Sequence, residues 1–128
     1  MRSLAREAVY KYLYSRLFNP DDEGLFDVLI KDLNEDDKSF ANKIKNVVLS
    51  NEDKYNQILS DLSKGYKFDR IFLSDRCALL IGLAEFDTFK GLTDKIVIID
   101  EAVKLSAKYS TEKSPDFVNG VLAEYTKD

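Results

Sequence analysis

Apolar residues recur every three to four positions through nearly the whole chain, and sustained alternation with period two is absent except over Lys95 to Asp100. That spacing gathers apolar side chains on one face of a helix, so the sequence predicts an all-α fold. In the first segment Ala5, Val9, Leu13 and Leu17 step by four, and Leu4, Ala8 and Tyr12 run beside them to widen the stripe. Asn19-Pro20-Asp21-Asp22 reads as an N-cap, a proline at the first helical position and an acidic first turn, which predicts a second helix to about Leu33. Asn34 followed by Glu35, Asp36 and Asp37 opens a third, with Phe40, Ile44, Val47 and Val48 inward. Ser50 and Asp53 resemble a capping box with Asp in place of Glu, starting a fourth helix that buries Tyr55, Ile58, Leu59 and Leu62 until Gly65 stops it.

Ser74 is the expected cap of the most apolar helix, Asp75 to about Phe89, which should be the most enclosed. Gly91 and Thr93-Asp94 make the next break, and a helix follows from Ile96 to Tyr109. Its run Ile96-Val97-Ile98-Ile99 has strand propensity but no partner strand elsewhere in the pattern, so it is read as helix. Ser114-Pro115-Asp116 starts the last helix, with Phe117, Val118, Val121, Leu122 and Tyr125. Gly120 in its middle costs about 1 kcal/mol relative to alanine, so a neighbouring backbone or a ligand is expected to come close there. The chain shows no internal repeat and no Pro/Gly/Ser-rich linker.

Composition narrows the chemistry. With 45% hydrophobic and 33% charged residues, 128 residues suit one globular domain whose core needs no disulfide or metal staple. There is no histidine, which removes His-dependent triads, imidazole zinc sites and the usual general base near neutral pH. The single cysteine, Cys77, cannot bridge internally; it reads as a small core residue and suits a reducing compartment, so a cytoplasmic location is expected. The uncharged run Cys77 to Ala84 is far short of the ~20 residues a membrane span requires, and no secretory signal is expected at the start. No Gly-rich phosphate loop or nucleophile elbow occurs. Adjacent acids such as Asp100-Glu101 and Asp21-Asp22 point apart on a helix, so no enzyme, cofactor or metal site is expected.

The charge is unevenly spread. Although the formal net charge is −4, residues 1 to 20 carry Arg2, Arg6, Lys11 and Arg16 against Glu7, while residues 21 to 40 carry eight acids and two lysines. Arg2, Arg6, Tyr10 and Tyr14 step by four along one flank of the first helix, so cations and rings share a surface. That pairing suits single-stranded RNA, because cations neutralise phosphates and exposed rings stack on unpaired bases at about 1 to 3 kcal/mol per base. The same four residues also fit a solvated face, with Tyr10 and Tyr14 half-buried against other helices, or a site for an acidic protein.

Three blocks carry a family likeness. They are Ala5-Arg6-Glu7-Ala8 with Leu13-Tyr14; Phe68-Asp69-Arg70-Ile71 with Ser74-Asp75-Arg76 and Leu79-Leu80-Ile81-Gly82-Leu83-Ala84-Glu85; and Ile98-Ile99-Asp100-Glu101-Ala102-Val103-Lys104-Leu105 with Lys108-Tyr109 and Ser114 to Leu122. In order and spacing the chain resembles the NusB family of bacterial transcription antitermination factors, most specifically in Phe117-Val118-Asn119-Gly120-Val121-Leu122. The resemblance implies about seven helices in two packed subbundles, residues 1–64 and 65–128. It also implies a non-enzymatic role: binding boxA RNA of ribosomal transcripts with the ribosomal protein NusE, within the RNA polymerase antitermination complex. By position the RNA surface would include Arg2, Arg6, Lys113, Ser114, Phe117 and Asn119, with Tyr14 and Asp75 near the junction of RNA and protein partner.

The departures weaken the RNA side. The arginine-rich start of the family is thinned to Arg2 and Arg6, Leu80 stands where the family usually has arginine, Asp94 where a proline is common, and Lys113 where an acid is frequent. Fewer cations mean less phosphate neutralisation, so the protein partner is expected to supply much of the affinity. Phe117 can also be core, Asn119 a bridge between helices, and Asp75 a first-turn acid. Two further readings stay open: a helical protein-interaction adaptor that has lost RNA binding, and an accessory module of an RNA methyltransferase, against which the lack of a catalytic domain counts. A homodimer that masks the basic flank is open as well.

Overall fold

The computed structural model describes residues 2–20, 22, 24–62, 71–89 and 91–127. They form seven helices: α1 (Arg2–Arg16), α2 (Leu25–Ile30), α3 (Glu35–Ser50), α4 (Glu52–Leu62), α5 (Leu73–Thr88), α6 (Lys95–Tyr109) and α7 (Ser114–Tyr125), with no strand among the described residues. The fold class is therefore the one the spacing predicts. Residues 96–99 are helical because Asp94 caps α6, its side chain accepting from the Ile96 amide at 2.9 Å, and because only Ile98 of the four is fully buried.

Three starts differ from expectation. The second helix does not begin at Pro20: Leu17, Phe18 and Asn19 close α1 with turn hydrogen bonds, Asp22 donates to the Asn19 carbonyl, and α2 is only six residues long. Acids near a proline favour a helix start, but among the described residues of this stretch Phe26 and Ile30 are the only buried ones available to hold one. Ser50 is the last residue of α3 rather than a cap; Asn51 makes the joint, its amide donating to the Val47 and Val48 carbonyls and its own carbonyl receiving Tyr55. Ser74 lies inside α5, and its hydroxyl bonds Ser110 at 2.7 Å instead of a free amide of its own helix. Gly65 and the Phe68-Asp69-Arg70 part of the second block lie outside the described residues.

Helix α5 is enclosed as predicted, buried continuously from Cys77 to Glu85 and packed against α1, α3, α4, α6 and α7. It can accept neighbours all round because its sequence is apolar all round. One glycine makes a close approach possible: a Cβ on Gly82 would lie 2.9 Å from Leu122 Cδ1. Gly120 lacks the neighbouring backbone that was one of its two expected explanations. It is exposed, and nothing lies within 4 Å of where its Cβ would be, so no neighbouring backbone explains it. Helices α1 and α5 run antiparallel, with Arg2 against Phe89 and Arg6 bonded to Glu85, while α5 and α7 run parallel, Gly82 meeting Leu122 and Asp87 meeting Tyr125.

Candidate functional site

The row of α1 picked out by spacing does not stay on one surface. Arg2 is exposed, Arg6 is 4% and Tyr10 3% exposed, and Tyr14 returns to 40%. Arg6 is thus no free cation. Its Nε donates to Glu85 Oε1 at 2.7 Å, and Nη1 lies 3.6 Å from Glu101 Oε1. Tyr10 is a core ring, stacked on Tyr109 with centroids 5.0 Å apart, and burial raises the pKa of its phenol, with Cys77 and Asp75 adding to the effect. Both positions are corrections to the exposed flank. The stripe that faces α5 and α6 is wider than the row of four-residue steps beside it, and these two side chains lie under the neighbours.

What remains outside divides between two ends of the molecule. Twelve residues separate Arg2 from Tyr14, about 18 Å of helix. The Arg2 guanidinium stands 4.6 Å from the ring centroid of Phe40 and 5.2 Å from that of Phe89, two rings themselves stacked at 5.2 Å. A groove of about 750 Å³ beside it is lined by Asn34, Asp36, Asp37 and Lys43. Cation–π contacts hold this arginine in acidic surroundings, which favour a cation and oppose a phosphate.

The other end gathers more of the candidates. From Tyr109 the rings continue outward along α1: Tyr10 to Tyr14 at 6.5 Å and Tyr14 to Phe18 at 5.4 Å, with Phe18 61% exposed. Next to Tyr109, the Ser110 hydroxyl donates to Asp75 Oδ1 at 2.6 Å and receives the Ser114 hydroxyl at 3.0 Å, and Ser114 receives the Thr111 amide at 3.1 Å. This network joins the end of α6 to the starts of α5 and α7. Asp75 and Ser114 are therefore buried and engaged, at 3% and 1% exposure, and are supports rather than free contacts. Around them Ile71, Phe72, Lys113 and Phe117 line a small cleft of about 150 Å³. Lys113 is exposed and Phe117 half-buried, so a cation and a ring edge share the rim. Asn119 is exposed, but residues two apart on a helix do not face one way, so it does not join Phe117 in the cleft.

Sequence reasoning missed Phe18, Tyr109 and Phe72. Phe18 continues the four-residue step of Tyr10 and Tyr14 and was legible; Tyr109 and Phe72 reach the site only through the packing of α6 and α5 on α1. Burial pushes the Cys77 thiol up to about 12, leaving it unreactive near neutral pH, and no group of three metal-ligating side chains occurs among the described residues. No described helix is long and apolar enough to cross a membrane.

Known proteins match this chain over its whole length. A sequence profile of the NusB family matches residues 1–127. The transcription antitermination protein NusB of Campylobacter concisus is 32% identical over 132 residues, covering 99% of this chain and 97% of its own. That of Natranaerobius thermophilus is 32% identical over 127 residues, covering 94% and 91%. Among solved structures, NusB of T. maritima superposes with a TM-score of 0.91 at 25% identity, covering 100% of this chain and 92% of that one. A complex of the antitermination factors NusB and NusE with dsRNA superposes with a TM-score of 0.83 at 27% identity, covering 96% and 93%. Seven helices in the same arrangement, a profile that spans 127 residues and relatives at 32% identity lead to one conclusion: the chain belongs to the NusB family.

Proposed function

We propose that this protein is a transcription antitermination factor that binds boxA-type single-stranded RNA together with the ribosomal protein NusE, acting in the cytoplasm by binding and not by catalysis. The carrying observation is the end of the molecule where the Tyr109–Tyr10–Tyr14–Phe18 stack adjoins the cleft rimmed by Lys113 and Phe117. Exposed rings beside a cation suit unpaired bases. Duplex RNA is held mainly through phosphates and 2′-hydroxyls along many base pairs, which needs more free cations than this surface offers. Lys113 and Lys11 are exposed near that end, whereas Arg6 is bonded internally and Arg2 sits among acids. Those two losses favour the second reading, an adaptor that recognises protein alone.

Titration of labelled boxA RNA at two salt concentrations, with and without NusE, separates the readings. The expected result is a complex that forms with NusE, prefers the single strand over its duplex, and has a shallow salt dependence of about −0.7 in log–log slope for each phosphate contacted. Phe117→Ala and Tyr14→Ala should each cost about 1–3 kcal/mol of RNA affinity if a base stacks there. Absence of any complex at low salt with NusE present overturns the RNA role and leaves the adaptor.

A further inference from the structure

We infer that Arg6 and the block around it serve RNA recognition as a positioning clamp, and that Arg6 makes no phosphate contact. The inference rests on the RNA-binding reading above. All four residues of Ala5-Arg6-Glu7-Ala8 are engaged by the rest of the molecule, three of them buried and Glu7 half-buried. Ala5 and Ala8 are core residues. Arg6 reaches Glu85 on α5 and Glu101 on α6, and its guanidinium lies 5.3 Å from the Phe40 ring on α3. Glu7 accepts hydrogen bonds from Lys108 and, at 2.7 Å, from the Tyr109 hydroxyl, both on α6. Ser3, one turn earlier, donates to Glu101 at 3.2 Å. One turn of α1 is thereby tied to three other helices.

What the clamp sets is the rotation and register of α1. A helix turns about 100° and rises 1.5 Å per residue, so a slip of one position would take Tyr10 off Tyr109 and turn Tyr14 to another side of α1. With Arg6 locked, Tyr10 stacks on Tyr109, whose neighbour Ser110 bonds Asp75 and Ser114 in the lining of the cleft, so the ring row of α1 is tied to the cleft through α6. A planar guanidinium suits this task because one side chain hydrogen-bonds the carboxylate of Glu85 and ion-pairs with that of Glu101 on another helix, while a lysine ammonium is a single point of charge.

The clamp and the phosphate contact predict opposite signs for one substitution. If Arg6 bound phosphate, Glu85→Gln would remove a competing negative charge and tighten RNA binding. As a clamp it weakens binding. The expected result, with RNA and NusE, is a loss of about three- to thirtyfold for Glu85→Gln and for Arg6→Lys, with the log–log salt slope unchanged. Tighter binding by Glu85→Gln, or a slope reduced by about 0.7 in Arg6→Ala, overturns the clamp.

Glu101→Gln is the milder variant should the buried substitutions not fold, since Glu101 keeps partial exposure and the Arg6–Glu85 bond remains; it should show the same direction of change. Amide exchange gives a readout without RNA. In Glu101→Gln the amides of residues 9–16 should exchange faster while those of α5 and α7 do not change, and equal exchange throughout overturns the clamp. If the unaltered protein forms no RNA complex, the RNA role fails, and exchange still decides whether the clamp sets α1.

Discussion

The same substitution at two glycines should have opposite effects. Gly82 and Gly120 both lie in helix interiors, where replacing glycine by alanine gains about 1 kcal/mol from backbone entropy. At Gly120 the new methyl meets nothing within 4 Å, so Gly120→Ala should stabilise by the full gain. At Gly82 the methyl would lie 2.9 and 3.2 Å from the two methyl carbons of Leu122, against ordinary contacts of about 3.5–4.0 Å. Leu122 is fully buried, and because both of its methyls crowd the position, turning it cannot clear them. Overpacking of this kind costs about 1–3 kcal/mol, which after the helix gain leaves Gly82→Ala destabilised by about 1 kcal/mol. The two variants should therefore differ by about 2 kcal/mol, roughly 8 °C in Tm at about 4 °C per kcal/mol for a chain of this size. Equilibrium denaturation followed by circular dichroism measures both, and unchanged m-values keep the comparison two-state. If Gly82→Ala stabilises as much as Gly120→Ala, the close packing of α5 on α7 is refuted. RNA binding adds a second readout: should Gly120→Ala be more stable yet bind RNA less well, the missing neighbour of that glycine is the RNA backbone.

Three further outcomes follow from the packing. Replacing Arg6 by Met or Glu85 by Leu alone should destabilise by about 3–5 kcal/mol, because each leaves a buried charge without its main partner, whereas the double variant should cost far less than the sum; additive costs in a denaturation cycle would refute the pairing. Burial raises the Glu85 pKa in spite of Arg6, which agrees with desolvation outweighing the attraction. Tyr55→Phe removes the 2.7 Å bond to Asp87 from a fully buried ring and should cost about 1–2 kcal/mol, and no loss would mean that Tyr125 and Lys54 satisfy Asp87 without it. Hydrogen bonds from Lys108 and Tyr109 hold the Glu7 carboxyl below its usual range, so its contribution is present above the unfolded pKa and fades as pH falls below about 4.3. Glu7→Gln should flatten the fall in stability between about pH 5 and pH 3, and an unaltered acid limb would exclude the bond.

Much of the site was legible at the level of residue type and little at the level of exposure. Lys113 and Phe117, named through the family resemblance, do share a rim, and Tyr14, named from the four-residue spacing, does stand outward. Asp75 and Ser114 were picked as well, yet they serve each other through Ser110, a hydroxyl whose partners come from α5 and α7 and which no local pattern announces. Arg6 was misread for a similar reason: an arginine bordering an apolar stripe is usually solvated, and the carboxylates of Glu85, seventy-nine positions away, and of Glu101 on α6 make its burial tolerable.

Helix number and class were set by the sequence itself, because the 3.6-residue period, the caps at Asn34 and Asp94 and the break at Gly91 are local and act without knowledge of the fold. Tertiary structure alone decided which stretch of α1 is covered. The line from Arg2 through Arg6 and Tyr10 to Tyr14 drifts about 40° around the helix at each four-residue step, and α5 and α6 lie across its middle and leave both ends in water. Periodicity specifies an angle around a helix axis; burial also depends on how far along that axis a neighbour extends, and that length is a property of the whole packed chain.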